Sequence, residues 1–202
     1  MAVGWPVSLR HGRVGVRPLT RRDAARWARL RAENADWLSP WEATMPPGSG
    51  APPPTFRTLI AHQRRRAREG RAMPFAVTWD GQMVGQVTVS NITRGSAQWA
   101  AIGYWISQSH AGRGITATAV ALVCDHLFGT AGLHRIEISL RPENVPSRRV
   151  VEKLGFAEIG LAPRFLHIDG DWRDHLVFQL LAEDLPGTVL EHLDGGRKAT
   201  DT

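Results

Sequence analysis

The stretch "AQWAAIGYWISQSHAGRGITATAVALVCDHLF", residues 97–128, constrains the fold more than any other part of the chain. A strand fits Ala97 to Ile106, two glycines follow at 112 and 114, and a helical pattern then begins. Positions 117, 120, 121, 124, 127 and 128 fall on one helical face, which predicts a helix from about Gly114 to Phe128. A strand, a glycine turn and a helix start make a ready anion site. The first N–H groups of a helix lack internal partners, its dipole favours negative charge, and glycine lets a phosphate approach without meeting a Cβ. A tight strand-to-helix turn with no ligand would need the same glycines, so both readings stay open at this point. "GRGITA" also matches the G-x-G-x-x-A form of a dinucleotide fingerprint. Its place in the chain argues against that fold, which opens with this unit and needs several further parallel crossovers.

The pattern around this unit reads as one α+β domain. A short strand fits around Arg13 to Arg17 and ends at Pro18, and Thr20 caps a helix through about Asn34. "DWLSPWEATMPPGSGAPPPT" reads as loop, mobile at residues 46 to 54, and a second helix spans Thr55 to Glu69 before Gly70. "MPFAVTWDGQMVGQVTVSNI" predicts a hairpin turning at Asp80-Gly81. Beyond the glycine unit, "HRIEISLR" is a strand and "NVPSRRVVEKLG" a helix ended by Gly155. The segment from Phe156 is a strand pair turned at Asp169-Gly170. The order is β-α-α-β-β-β-α-β-α-β-β, a mixed, mostly antiparallel central sheet flanked by helices. Residues 1–185 form a single domain in this reading, and residues 186–202 a polar tail expected to be disordered.

At 202 residues, 43% apolar and 22% charged, the chain suits one globular domain. No run approaches about 18 uninterrupted apolar residues, so no membrane span is expected. The N-terminus lacks the apolar block of a signal peptide. The single cysteine, Cys124, falls on the apolar side of a predicted helix and reads as core, in keeping with a reducing cytoplasm. The net charge is +6, with eight arginines between Arg10 and Arg31 and five in "RRRAREGR", Arg64 to Arg71. Such clusters attract polyphosphates and nucleic acid, and they are equally the solvated faces of amphipathic helices. They come without zinc-finger spacing, RNA-recognition aromatics or basic-zipper heptads, so they do not identify a partner. Neither a metal site nor a DNA partner is expected.

Three pieces then occur in order: "IGYW" before the glycine loop, "RPENVPSRRVVEKLGF", and "IDGDWRDH" near the end. Together they resemble the GNAT acetyltransferase superfamily, and within it the ribosomal-protein-alanine N-acetyltransferases of RimJ/RimL type. "WLSPWE" in the early loop is similar to that subgroup as well, and the likeness covers about residues 8 to 185. The resemblance implies acetyl-CoA as co-substrate, its pyrophosphate held by Gly112, Arg113, Gly114, Ile115, Thr116 and Ala117. The superfamily's loop form, Gln/Arg-x-x-Gly-x-Gly/Ala, falls on Ala111 to Thr116. Gly114 keeps the central glycine, while Ala111 and Thr116 depart at the outer positions. It further implies that the edge of Tyr104-Trp105-Ile106 pairs with the pantetheine arm as an added strand would, and that Asn144 holds the pantetheine amides.

Acetyl transfer to an amine requires a neutral amine, a polarised thioester carbonyl, and a proton for the departing thiolate. By the same resemblance, the backbone N–H of Ile106 polarises the carbonyl and Ser147 supplies the proton. "N-x-x-S" at a helix start is also an N-cap pattern. Val151 stands where many amine-acetylating relatives carry a tyrosine, and Ser139 where some N-terminal acetyltransferases carry a glutamate. The base is therefore unassigned, with Glu42 and Glu143 as candidates to relay the proton through water. Asp174 and His175 alternate faces on a strand and read as structural. At pH 7 an α-amine of pKa about 7.7–8.0 costs roughly 1–1.4 kcal/mol to deprotonate, against roughly 4.6 kcal/mol for a lysine at about 10.4. A site without a strong base suits the α-amine. The expectation is a cytoplasmic N-acetyltransferase acting on a protein N-terminus, with a ribosomal protein as acceptor and the basic clusters bringing it near a ribosome. A small-molecule amine acetyltransferase is the runner-up, and a non-catalytic basic ribosome- or RNA-binding module the third reading.

Overall fold

Runs such as "FAVTW" and "MVGQVTV" alternate as strands do, and they pair into one sheet. The computed structural model describes residues 1–49 and 55–200. Its strands are β1 (Leu9–His11), β2 (Val14–Pro18), β3 (Met73–Trp79), β4 (Gln82–Thr93), β5 (Trp99–Ile106), β6 (Arg135–Leu140), β7 (Ala157–Ile168) and β8 (Asp171–Leu181). They lie in the order β1-β2-β3-β4-β5-β6-β8-β7. Among the described residues, β5 and β6 are the one parallel pair. The helices are α1 (Ala24–Glu33), the single turn α2 (Ala35–Leu38), α3 (Phe56–Arg68), α4 (Ile115–Gly129), α5 (Val145–Lys153) and α6 (Val189–Thr200). Both hairpin turns read from sequence are present. Asp80-Gly81 and Asp169-Gly170 have positive φ at both central residues, as a type I′ turn demands.

The fold is the α+β sheet that the sequence implied, with β1, α2 and α6 in addition. Leu9–His11 is too short to show alternation, and it pairs with β2 around Gly12 at φ +55°. The loop expected to be mobile at 46–54 falls outside the described residues from 50 to 54.

The tail is the main correction. Residues from 189 form a helix, with Val189 and Leu193 buried in the main core. Thr188 and Glu191 make a reciprocal capping box: Glu191 N donates to Thr188 Oγ1 at 3.1 Å, and Thr188 N donates to Glu191 Oε2 at 2.8 Å. The Asp125 carboxylate on α4 accepts from Val189 N at 2.6 Å and Leu190 N at 3.2 Å, placing negative charge at the start of α6. Overall polarity hid a helix that needs only two buried residues and a cap.

Two cores divide the two faces of the sheet. α4 is buried along most of its length, from Ile115 through Leu127, between the sheet and α6. Cys124 is fully enclosed there, and burial pushes its thiol pKa well up, as befits a core residue. On the opposite face α1 and α3 pack through a smaller cluster of Leu19, Leu30, Ile60, Ala76 and Met83 against Trp27, Phe56 and Trp105. The segment at residues 37–44 is tied to the C-terminal end of β5 by Trp37, whose Nε1 donates to Ile106 O at 3.1 Å.

Candidate active site

β5 and β6 pair only at Trp99–Ala101 with Arg135–Glu137, and beyond Ala101 they separate. On the other side of β5, β4 is irregular at the same level. Val84 is an extra residue between the Val77–Gly85 and Thr78–Met83 pairs, and such a bulge adds local twist. Gly85 lies so close to β5 that a Cβ there would collide with the Trp105 carbonyl oxygen. Ser107 N donates to Val84 O at 2.9 Å, so alternation turns the N–H and C=O of Ile106 and Tyr104 away from β4, into the splay. The carbonyl of Ile106 accepts from Trp37 Nε1 at 3.1 Å, which agrees with that orientation. The N–H of Ile106 thus lies where a strand-like ligand would meet it.

The glycine loop stands at one end of this splay. Gly112 and Gly114 both have positive φ, +74° and +73°, and Gly114 is the left-handed N-cap of α4. A Cβ on Gly112 would meet nothing within 4 Å. Gly112 therefore answers to backbone conformation, with open space where its side chain would stand. The first internal helix bond runs from Thr118 N to Gly114 O, so the N–H groups of Ile115, Thr116 and Ala117 precede the helical ladder. A depression of ≈ 370 Å³ adjoins this terminus, with Arg113, Arg13 and Lys153 on its walls. Open amide donors ringed by cations fit a diphosphate.

At the splay itself lies a cavity of ≈ 150 Å³ that reaches both faces of the sheet. On the α5 side it meets Tyr104, Asn144 and Ser147. Asn144 is the N-cap of α5: its Oδ1 accepts from Ser147 N at 3.1 Å, which leaves its Nδ2 as the group able to meet a ligand. Ser147 Oγ lies 2.7 Å from the Tyr104 hydroxyl. Burial pushes the Tyr104 phenol well above its ordinary pKa, and the Ser147 bond offsets only part of that. The phenol is therefore protonated at neutral pH and can donate to Ser147. Only the backbone of Tyr104 had a role in the sequence reading, since nothing local in the sequence links positions 104 and 147.

On the other side the cavity meets Trp41, Ser139, Arg141 and His175. Arg141 Nη1 donates to Pro40 O at 2.7 Å, tying the early loop to the end of β6. Thr44 N donates to His167 O at 2.8 Å and ties the same loop to β7. Neither carboxylate proposed as a proton relay lines this cavity. Glu42 has both oxygens on the Arg31 guanidinium, itself stacked near the rings of Trp27 and Trp105. Glu143 is exposed and 3.3 Å from Arg141 Nε. Asp174 is structural as expected, its Oδ1 accepting from Arg164 N at 2.8 Å. His175 is only 3% exposed, and it also lines the cavity.

Residues 13–157 match the acetyltransferase (GNAT) domain family, well over half of the chain. The chain belongs to the GNAT acetyltransferases. The solved structure of Mycobacterium smegmatis RimJ, in complex with CoA-disulfide, superposes with a TM-score of 0.90 at 41% identity, covering 98% of each chain. Among curated relatives, the probable N-acetyltransferase YjcK of Bacillus subtilis is 34% identical over 84% of this chain and 94% of its own length. The [ribosomal protein uS5]-alanine N-acetyltransferase of Escherichia coli is 32% identical over 88% of this chain and 92% of its own. This GNAT protein is an acetyl-CoA-dependent N-acetyltransferase. Its own geometry suits that co-substrate, with an open amide terminus for phosphates and an open strand edge leading to a half-buried hydroxyl pair.

Proposed function

We propose that this acetyltransferase acts in the cytoplasm on the α-amine of a protein N-terminus, alanine first, with a ribosomal protein as acceptor. The observation that carries the proposal is the end-to-end similarity to the E. coli uS5-alanine enzyme. In this reading Gly112 to Ala117 hold the pyrophosphate, the Tyr104–Ile106 edge pairs with the pantetheine arm, and Asn144 meets its amides. The N–H of Ile106 polarises the thioester carbonyl. As the amine nitrogen bonds to the acetyl carbon and the C–S bond breaks, Ser147, hydrogen-bonded to the Tyr104 hydroxyl, passes its hydroxyl proton to sulfur. Exposed arginines on α3, among them Arg57, Arg64 and Arg68, supply the charge that would draw the enzyme to a ribosome. Thiol release from acetyl-CoA against a panel of acceptors tests this. Turnover with alanine-starting peptides supports it, and turnover only with free small amines would transfer the enzyme to the small-molecule class.

A further inference from the structure

The site described above has an acid for the thiolate and a polarising amide, and both carboxylates considered as base are engaged elsewhere. We infer that His175 is the base: its Nε2 accepts the proton shed by the incoming α-ammonium group. The inference rests on the acceptor assignment made under the proposed function.

Geometry carries it. His175 precedes Leu176, which pairs with Leu140 across β6 and β8, so His175 lies one step further on, opposite Arg141. Side chains opposite one another in an antiparallel pair share a face, as do residues two apart. His175 therefore shares a face with Arg141 and Ser139. That face is covered by the early loop, because Arg141 reaches Pro40 O, and it is the face away from the Ser147–Tyr104 pair. An acceptor entering from the loop side meets the thioester across the splay from the acid.

The imidazole is also held in the tautomer that a base needs. Its Nδ1 is 3.0 Å from the Arg173 carbonyl oxygen. A carbonyl can only accept, so Nδ1 carries the proton and the lone pair of the neutral ring is on Nε2. The Phe165 ring packs edge-on against it at 5.5 Å between centroids. The charged groups around the ring are Arg141, Asp174 and Glu143. Burial lowers its pKa most, the Arg173 carbonyl opposes that, Arg141 lowers it further, and the two carboxylates raise it; the net direction is down. His175 is thus neutral at pH 7 and ready to accept. The proton balance closes: the ammonium loses one proton to Nε2 before attack. The amine loses a second as the amide forms, which replaces the one that Ser147 gave to sulfur. The imidazolium then releases its proton to solvent.

The test is the pH profile of thiol release with an alanine-starting peptide, for wild type and His175→Asn. Asparagine keeps a donor where Nδ1 stands and removes Nε2. CoA affinity by calorimetry should stay within about twofold. At pH 7, kcat should fall about five- to tenfold, because without a base only about a fifth to a tenth of an α-amine of pKa about 7.7–8.0 is neutral. The deficit should shrink toward pH 9, where the α-amine is already neutral. In wild type the acid limb of kcat should coincide with the pKa of His175 measured by NMR, below the usual histidine value. An asparagine variant with normal kcat, a deficit equal at every pH, or an NMR pKa that misses the kinetic limb would each overturn the inference. A wild-type enzyme that turns over no α-amine peptide defeats the acceptor assignment instead, a result distinguishable from all three.

Discussion

Ser147 sits where two physical demands meet: its backbone N–H is needed by the Asn144 cap, and its hydroxyl by Tyr104. The sequence showed the first demand and, through family likeness, Ser147 itself. The second was invisible, because a 2.7 Å contact between a strand and a helix start 43 residues later leaves no local signature. His175 was illegible for the same reason: strand alternation gave its face, and only the splay between β5 and β6 made that face a cavity wall. The two halves of Ser147 can be separated by mutation. Ser147→Ala keeps the cap, since the cap uses only the backbone N–H, and removes the proton donor. It should lower kcat more than it raises KM for acetyl-CoA, because a hydroxyl serving the departing thiolate acts in the transition state. Tyr104→Phe should follow the same pattern with a smaller loss. Steady-state kinetics on both variants decides the matter; an effect confined to KM would leave Ser147 as a cofactor contact.

Elements are legible in the sequence where period and punctuation agree. The β3–β4 and β7–β8 hairpins, α4 and α5 all carry strong turn or cap residues at their ends, and all lie where expected. α6 is masked by the overall polarity of the tail, although Thr188-x-x-Glu191 is a capping-box signature. The glycine loop is the element that ties fold to cofactor. Gly114→Glu puts a carboxylate where the open amides of α4 would meet phosphate, and Gly114→Ala controls for the cost of any side chain at this left-handed position. That cost is about 1–2 kcal/mol for a side chain in the left-handed region. CoA affinity of the glutamate variant should fall at least about tenfold, about 1.4 kcal/mol, below that of the alanine variant. Equal affinities in calorimetry would remove the loop from the phosphate site.

At the scale of the whole molecule, buried histidines set how stability responds to pH. Burial lowers the pKa of His126 beneath the N-terminal segment, a backbone bond at Gly4 opposing it, and burial likewise lowers that of His175. The unfolded chain therefore binds more protons than the folded one below about pH 6.5, and stability falls as pH drops through that window. Urea midpoints should be lower at pH 5.5 than at pH 7.5; an equal or higher midpoint at the acid value contradicts this sign. The same low-dielectric architecture bears on function, because a base of modest strength at the splay can serve an α-amine far better than a lysine. The two amines differ by roughly 3 kcal/mol in the cost of deprotonation at pH 7, over a hundredfold in neutral fraction. The direct measurement is mass spectrometry of one peptide that begins with alanine and carries an internal lysine, after incubation with the enzyme and acetyl-CoA. The account predicts acetyl on the α-amine with the lysine unmodified; acetyl on the lysine side chain, or no modified peptide under conditions where free small amines are acetylated, would contradict it.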